Sequence, residues 1–232
     1  MENKSIAVFL PTRKGSQRVK NKNTRIFGGK EGGLLQLKLE QLIKIKSVDE
    51  VILSSNDEIS LSIGKKFEKF DQRVRVIERP DKLALSSTDL VDLIKYVPSI
   101  TDCNNILWTH VTSPFVDEND YENAIQLYFE NMNNYDSLMS AKKFNNYLWS
   151  KEKNDLINRA NNKKWPQTQD LEDLYEIDSA IFISKRSNYL NNNDRVGNKP
   201  NLYVMDGIKS FDIDWQEDFK LAELIYDKYY RK

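Results

Sequence analysis

The chain has 232 residues, of which 39% are hydrophobic and 30% charged, and its 35 basic and 35 acidic side chains cancel. Zero net charge removes any global case for a nucleic-acid or anionic-membrane partner, and no apolar run approaches the roughly 18 residues that a membrane-spanning helix needs. One large core accommodates this length, so a single domain over residues 1–232 is expected.

Cys103 is the only cysteine, which rules out an internal disulfide and fits a reducing, cytoplasmic setting. Met1 to Ser5 is polar and runs straight into a strand-like segment, without the apolar core of a secretory signal. Buried strands are predicted at Ile6 to Leu10, Glu50 to Leu53, Val74 to Ile77 and Ile106 to Thr109, where short β-branched and apolar runs stand between turn residues. Helices are predicted between them: one on the face made by Leu34, Leu35, Leu37, Leu39, Leu42 and Ile43, then Glu58 to Phe67, Asp89 to Ile100 and Glu118 to Met132. After Tyr135 the pattern loosens, and the Asn- and Lys-rich stretch from Phe144 to Lys164 reads as an excursion from the main sheet. Strands return at Ala180 to Ser184 and Leu202 to Met205, and a last helix runs from about Gln216 to Arg231. This alternation predicts an α/β fold of Rossmann-like, three-layer type, with a mostly parallel sheet covered on both faces.

Three stretches carry chemistry. The loop after the first strand holds seven basic residues and no acidic one between Thr12 and Lys30, a local anion site in a neutral chain. Ligands of open α/β sheets bind beyond the carboxyl ends of the strands, so Gly15 and Ser16 would bring backbone N–H groups to phosphate oxygens while Arg13 and Lys22 neutralise them. The loop matches neither a Walker A motif nor the dinucleotide-binding glycine pattern, and a merely solvated basic loop is the bland alternative. In Ser210-Phe-Asp-Ile-Asp-Trp215, Asp212 and Asp214 share one side if the backbone is extended, and paired carboxylates suit Mg²⁺. Asp214 with Glu217 would equally make a helix-capping pair. Trp108-Thr-His-Val-Thr-Ser-Pro-Phe115 ends the fourth strand on the same rim, with His110, the only histidine, either a ligand or a structural residue. Arg79-Pro80 and the hydroxyls of Ser86, Ser87 and Thr88 follow the third strand towards that crevice, although Ser87 would also serve as the N-cap of the next helix.

Taken together, these segments resemble the acylneuraminate cytidylyltransferases, the synthetases of CMP-sialic, CMP-legionaminic and CMP-pseudaminic acids, which are related to CMP-Kdo synthetase. The family's opening loop reads roughly Ala-Arg-x-Gly-Ser and then Lys-Asn-x-Arg, and Arg13, Gly15, Ser16, Lys22, Asn23 and Arg25 stand in those places. Ser54 to Asp57, Arg79 to Ala84, Thr112-Ser113-Pro114, Gln169 to Leu171, Tyr175 and Ala180 to Ile183 are similar to later family segments, and Asp212-Ile-Asp214 to its Mg²⁺-binding pair. Where the family usually has Gln-Pro before Thr-Ser-Pro this chain has His110-Val111, and where it often has Asn-Gly it has Asp178-Ser179.

The resemblance implies a cytoplasmic, Mg²⁺-dependent enzyme that transfers CMP from CTP to a 2-keto sugar acid. It implies that the opening loop, with Arg79 and Ser87, binds CTP, and that His110, Thr112, Ser113, Gln169, Tyr175 and Lys142 face the sugar. It further implies that residues 140–175 form an arm of a homodimer. Two other readings stand beside it: a glycosyltransferase using Asp212-x-Asp214 as a DxD motif, and a non-catalytic nucleic-acid binder built on the basic loop, which lacks interleaved aromatic platforms.

Overall fold

The structure, a computed structural model, describes residues 4–85 and 87–231. Strands β1 (Ile6–Pro11), β2 (Glu50–Ser55), β3 (Val74–Glu78) and β4 (Asn105–Trp108) form the parallel half of one seven-stranded sheet. β5 (Ser137–Phe144), β8 (Leu174–Lys185) and β9 (Pro200–Val204) extend it, giving the order β3-β2-β1-β4-β8-β5-β9 with β8 antiparallel to its neighbours. Two short strands, β6 (Trp149–Ser150) and β7 (Asp155–Leu156), pair into a separate ribbon on the excursion.

Near-continuous apolar strands need cover on both faces, and both have it. On one face Val8, Leu10, Leu53, Leu107 and Ile183 meet the buried sides of helices α1 (Gly33–Leu42), α4 (Glu118–Glu130) and α6 (Gln216–Tyr229). Helix α2 (Glu58–Phe70) approaches so closely that a Cβ on Gly64 would collide with Leu53. On the other face Phe9, Ile52, Trp108 and Phe182 pack under α3 (Leu90–Tyr96) and α5 (Arg186–Asn191), with Phe9 and Trp108 edge to face at 4.7 Å.

Most predicted elements are present, with their ends moved for identifiable reasons. The helix expected from Asp89 to Ile100 stops at Tyr96 and tightens into a 3₁₀ turn at Val97–Ser99, because Pro98 has no N–H to continue it. Its N-cap is Asp89, whose carboxylate accepts from the Val91 N–H at 2.9 Å, so Ser87 is not the cap. β8 starts six residues before the predicted Ala180 and carries a bulge opposite β5 between Met139 and Ala141, with Ser179 at φ 61°. A bulge of this kind kinks the strand, and the outer halves of β5 and β8 continue beyond it as an antiparallel pair.

The chain passes β1, β2 and β3 to one side and returns to place β4 on the other side of β1. The segments leaving β1 and β4 therefore diverge, and a crevice opens at that switch point.

Candidate active site

The crevice encloses about 550 Å³ and lies where this topology requires, between the loop after β1 and the end of β4. Arg13, Ser16, Lys22 and Asn23 line it from the basic loop, Arg79 from beyond β3, Trp108 from the end of β4 and His110 from just beyond it. Gly15 turns the loop at φ 83°, in the left-handed region that glycine enters without strain.

Each cation is fixed differently. Arg79 is buried at 3% exposure and donates from a terminal nitrogen to the Thr12 carbonyl, while its Nε has no partner. Burial lowers its pKa to about 10, the sign of a guanidinium with little counter-charge. Lys22 Nζ donates to the Ile213 carbonyl at 2.7 Å and lies 3.8 Å from Asp214 Oδ1. Burial pulls its pKa down, and Asp212 and Asp214 oppose that shift.

The Lys22 contact joins the two ends of the sequence, because Ile213 N–H also donates to the Thr112 carbonyl at 2.9 Å. The segment Asp212 to Asp214 thus lies beside both the basic loop and the residues after β4. Asp212 is raised above the usual carboxylate range by burial, with a Thr112 hydrogen bond opposing, and its Oδ1 has no partner. Asp214 pairs with Arg18 at 2.8 Å, and Arg18 stacks on Trp215. Helix α6 is not capped by Asp214 and Glu217 as the alternative reading expected. Asp218 accepts from the N–H groups of Asp214 and Trp215 at 3.0 and 2.7 Å, which frees the Asp214 carboxylate from that task.

His110 is half-buried, and its Nε2 accepts from Trp108 Nε1 at 3.1 Å. That bond assigns the ring proton to Nδ1. Burial, with nearby Arg195, pushes the pKa to about 3, so the imidazole is a neutral donor at physiological pH.

Several expected site residues lie elsewhere. Ser113 is buried beneath the loop, where its carbonyl accepts from Lys38 Nζ at 2.9 Å. Thr112 faces Asp212 instead of the crevice. Arg25 stacks on Phe219 at 4.7 Å and donates to Gln216, holding α6 to the loop. Ser87 is exposed and is not among the described crevice residues, where Thr88 and Asp89 appear instead; Ser86 lies outside the described residues. Lys142 and Tyr175 sit on the outer ends of the paired strands β5 and β8, and Gln169 lies on the excursion bonded to Gln167, so this chain alone does not bring them to the crevice.

Sequence reasoning missed three residues. Arg18 holds Asp214. Lys38 is fully buried on α1 and donates to Ser113 O, Val116 O and Tyr121 OH, which bears in turn on Thr109 Oγ1. It shares a helical face with Leu34, Leu35 and Leu42, the one available hint that it is internal. The third is Arg195, from an Asn-rich loop that gave no signal, laid over Trp108 and Phe182.

A model of the family described as cytidylyltransferase matches residues 7–231. The chain belongs to the cytidylyltransferase family. It is 28% identical over 242 residues to the N-acylneuraminate cytidylyltransferase of Escherichia coli, covering 98% of this chain, and spans about half, 53%, of that relative's length. To the pseudaminic acid cytidylyltransferase of Campylobacter jejuni it is 24% identical over 227 residues, covering 94% of each. Among solved structures, CMP:2-keto-3-deoxy-manno-octonic acid synthetase complexed with CTP superposes with a TM-score of 0.68 at 12% identity, over 97% of this chain and 99% of that one. The 4-diphosphocytidyl-2C-methyl-D-erythritol synthase of Anaerococcus prevotii gives the same TM-score at 15% identity, over 95% of each chain. These two establish that the cytidylyltransferase sheet and its helical layers are a nucleotidyltransferase fold.

Proposed function

We propose that the chain transfers the cytidylyl group of CTP to the anomeric hydroxyl of a 2-keto sugar acid of the sialic, pseudaminic, legionaminic or Kdo type, with release of pyrophosphate. The observation that carries the proposal is the meeting of a cationic loop and a carboxylate pair at one switch point, tied together by Lys22. The relatives' names, N-acylneuraminate and pseudaminic acid cytidylyltransferase, supply the acceptor class. The family match sets aside the DxD glycosyltransferase reading.

In this reading Arg13, Lys22 and Arg79 receive the triphosphate, and Gly15 lets the loop backbone approach it. The acceptor's anomeric oxygen bonds to the α-phosphorus while the bond from that phosphorus to the oxygen bridging to the β-phosphate breaks. Pyrophosphate departs with the electron pair and the hydroxyl proton passes to solvent. The cations hold the reactants in line and offset the charge gathering on the leaving group, so positioning and electrostatics supply the rate.

Asp212 and Asp214 fit a hard divalent cation. Asp212 has a buried, unpartnered oxygen two residues from Asp214, and Mg²⁺ takes hard oxygen ligands of this kind with water and phosphate oxygens completing its shell. When bound there, Mg²⁺ would neutralise phosphate charge as it develops. His110 would offer its Nδ1–H to the sugar and orient it.

Among the described residues no helix is long and apolar enough to cross a membrane. A cytoplasmic setting belongs to the proposal and rests on the lone free thiol of Cys103. So does a homodimer, supported by the exposed side chains of Tyr147, Trp149, Ile157 and Trp165 on the excursion. A single domain with residues 140–175 as its dimer arm is likewise part of this reading.

The test is pyrophosphate release from CTP and Mg²⁺ over a panel of 2-keto sugar acids and sugar 1-phosphates. Turnover with at least one free acid is expected; turnover with sugar 1-phosphates only, or with none, overturns the reading.

A further inference from the structure

Trp108 is buried at the end of β4, and its side chain forms part of the crevice wall beside His110. Two neighbours hold its ring: Phe9 meets it edge to face at 4.7 Å, and the Arg195 guanidinium carbon lies 5.0 Å from its centre. An indole held in this way aims its single N–H in a fixed direction, and the group it reaches is His110 Nε2, 3.1 Å away.

An indole N–H only donates, so Nε2 presents its lone pair and the ring proton sits on Nδ1. The other tautomer, or an imidazolium, would set two N–H groups against each other and leave a buried donor without an acceptor. Burial opposes a second proton on the ring, and so do the cations that face it: Arg195 from the loop between α5 and β9, Lys22 from the basic loop and Lys38 from α1. Nδ1 makes no hydrogen bond among the described residues, and it is not among the side-chain atoms closed off from solvent without a partner. Since His110 lines the crevice, that N–H opens into it.

A neutral imidazole left free to exchange its proton between the two nitrogens can donate or accept on its exposed side. Bonded to Trp108, this one can only donate. The group it meets in the crevice must then offer an oxygen lone pair, from a carboxylate, a carbonyl or a hydroxyl. We propose that Trp108 is a positioning residue for the acceptor: its indole N–H fixes His110 as an Nδ1–H donor, so that the crevice selects a sugar presenting an accepting oxygen at that point. The proposal rests on the reading of the crevice as a cytidylyl-transfer site.

The experiment compares the wild type, Trp108→Phe, His110→Gln and the double variant. Phenylalanine keeps an aromatic ring against Phe9 and removes only the N–H side of the indole. Nitrogen-15 spectra of the chain's only histidine report its tautomer without substrate. The wild type should show the Nδ1–H form at pH 7, with a coupling across the hydrogen bond to the Trp108 indole nitrogen, and Trp108→Phe should populate the Nε2–H form. Loss of the fixed donor predicts a fall of about 3- to 10-fold in kcat/KM for an active 2-keto sugar acid in Trp108→Phe, with CTP affinity unchanged. In the His110→Gln background the same substitution should have little further effect, because Trp108 acts through the imidazole. A wild-type histidine that is Nε2–H or charged at pH 7, a tautomer that Trp108→Phe leaves unchanged, or equal losses with and without His110 overturn the role of Trp108 while leaving cytidylyl transfer standing. If Trp108→Phe does not fold, the wild-type spectrum decides: the coupled Nδ1–H form supports the assignment and any other form refutes it. A wild type inactive with every free acid overturns cytidylyl transfer and the acceptor role together.

Discussion

The crevice and the excursion from Asn145 to Asp173 are built on opposite terms. Crevice residues are anchored by main-chain partners from distant parts of the chain, as Lys22 is to Ile213 and Arg79 to Thr12. Excursion residues find partners nearby, as in Tyr147 OH donating to Pro166 O at 2.6 Å and Arg159 pairing with Asp155. The excursion also leaves Trp149 and Trp165 more than half exposed. One region is held by contacts from distant parts of the chain and the other mainly by local ones. In the proposed reading, nucleotide handling should answer to single substitutions in the sheet half, whereas the sugar side should answer also to changes on the excursion.

The largest expected break is Asp212→Asn. If the carboxylate pair holds a cation, kcat at saturating Mg²⁺ falls about 100-fold or more while thermal stability is nearly unchanged. A purely structural role would lower the melting temperature and spare kcat. Lys22→Ala should reduce kcat/KM for CTP about 10- to 100-fold, since it removes a cation that also ties the loop to Asp214. An unchanged KM and kcat would leave the loop a solvated surface.

Lys38→Met sharpens the comparison from the packing side. It strands two buried carbonyls, those of Ser113 and Val116, and should cost about 2–3 kcal/mol of stability by denaturant titration. Tyr147→Ser with Trp165→Ser should cost under about 1 kcal/mol of monomer stability, being exposed changes, yet shift the mass by light scattering from dimer to monomer. A wild type that already scatters as a monomer at assay concentration counts against the dimer.

The last effect concerns pH. His110 titrates near 6.5 when unfolded and at about 3 when folded, so below pH 6.5 the unfolded chain takes up a proton that the folded one refuses. Its contribution to stability is present above pH 6.5 and is lost progressively as pH falls towards 3. The His110→Gln variant should lack that component, and an acceptor KM showing no inflection between pH 5 and 8 would agree with a neutral imidazole.

The sheet was legible because Ile6 to Leu10 and its counterparts are buried on both faces and so spell apolar runs. The cationic rim of the crevice was legible because basic residues crowd one loop of a neutral chain. What escaped were facts set by tertiary contact. Pro98 inside a predicted helix was a readable stop, but Asp218 capping α6 in place of Glu217 depends on the approach of one turn. Ser113 looked like a site residue until Lys38, hidden in a leucine-rich helix, claimed its carbonyl. Arg195 stands among asparagines with no periodicity around it, and only the pairing of β4 with β8 puts the two aromatic rings beneath it.

The most direct measurement follows oxygen. A 2-keto sugar acid labelled with ¹⁸O at its anomeric hydroxyl, incubated with CTP and Mg²⁺, should yield a CMP conjugate that keeps the label in the bridge between sugar and phosphorus, with unlabelled pyrophosphate. Label lost to water or found in pyrophosphate, or release of cytidine diphosphate instead, would contradict attack of the acceptor on the α-phosphorus.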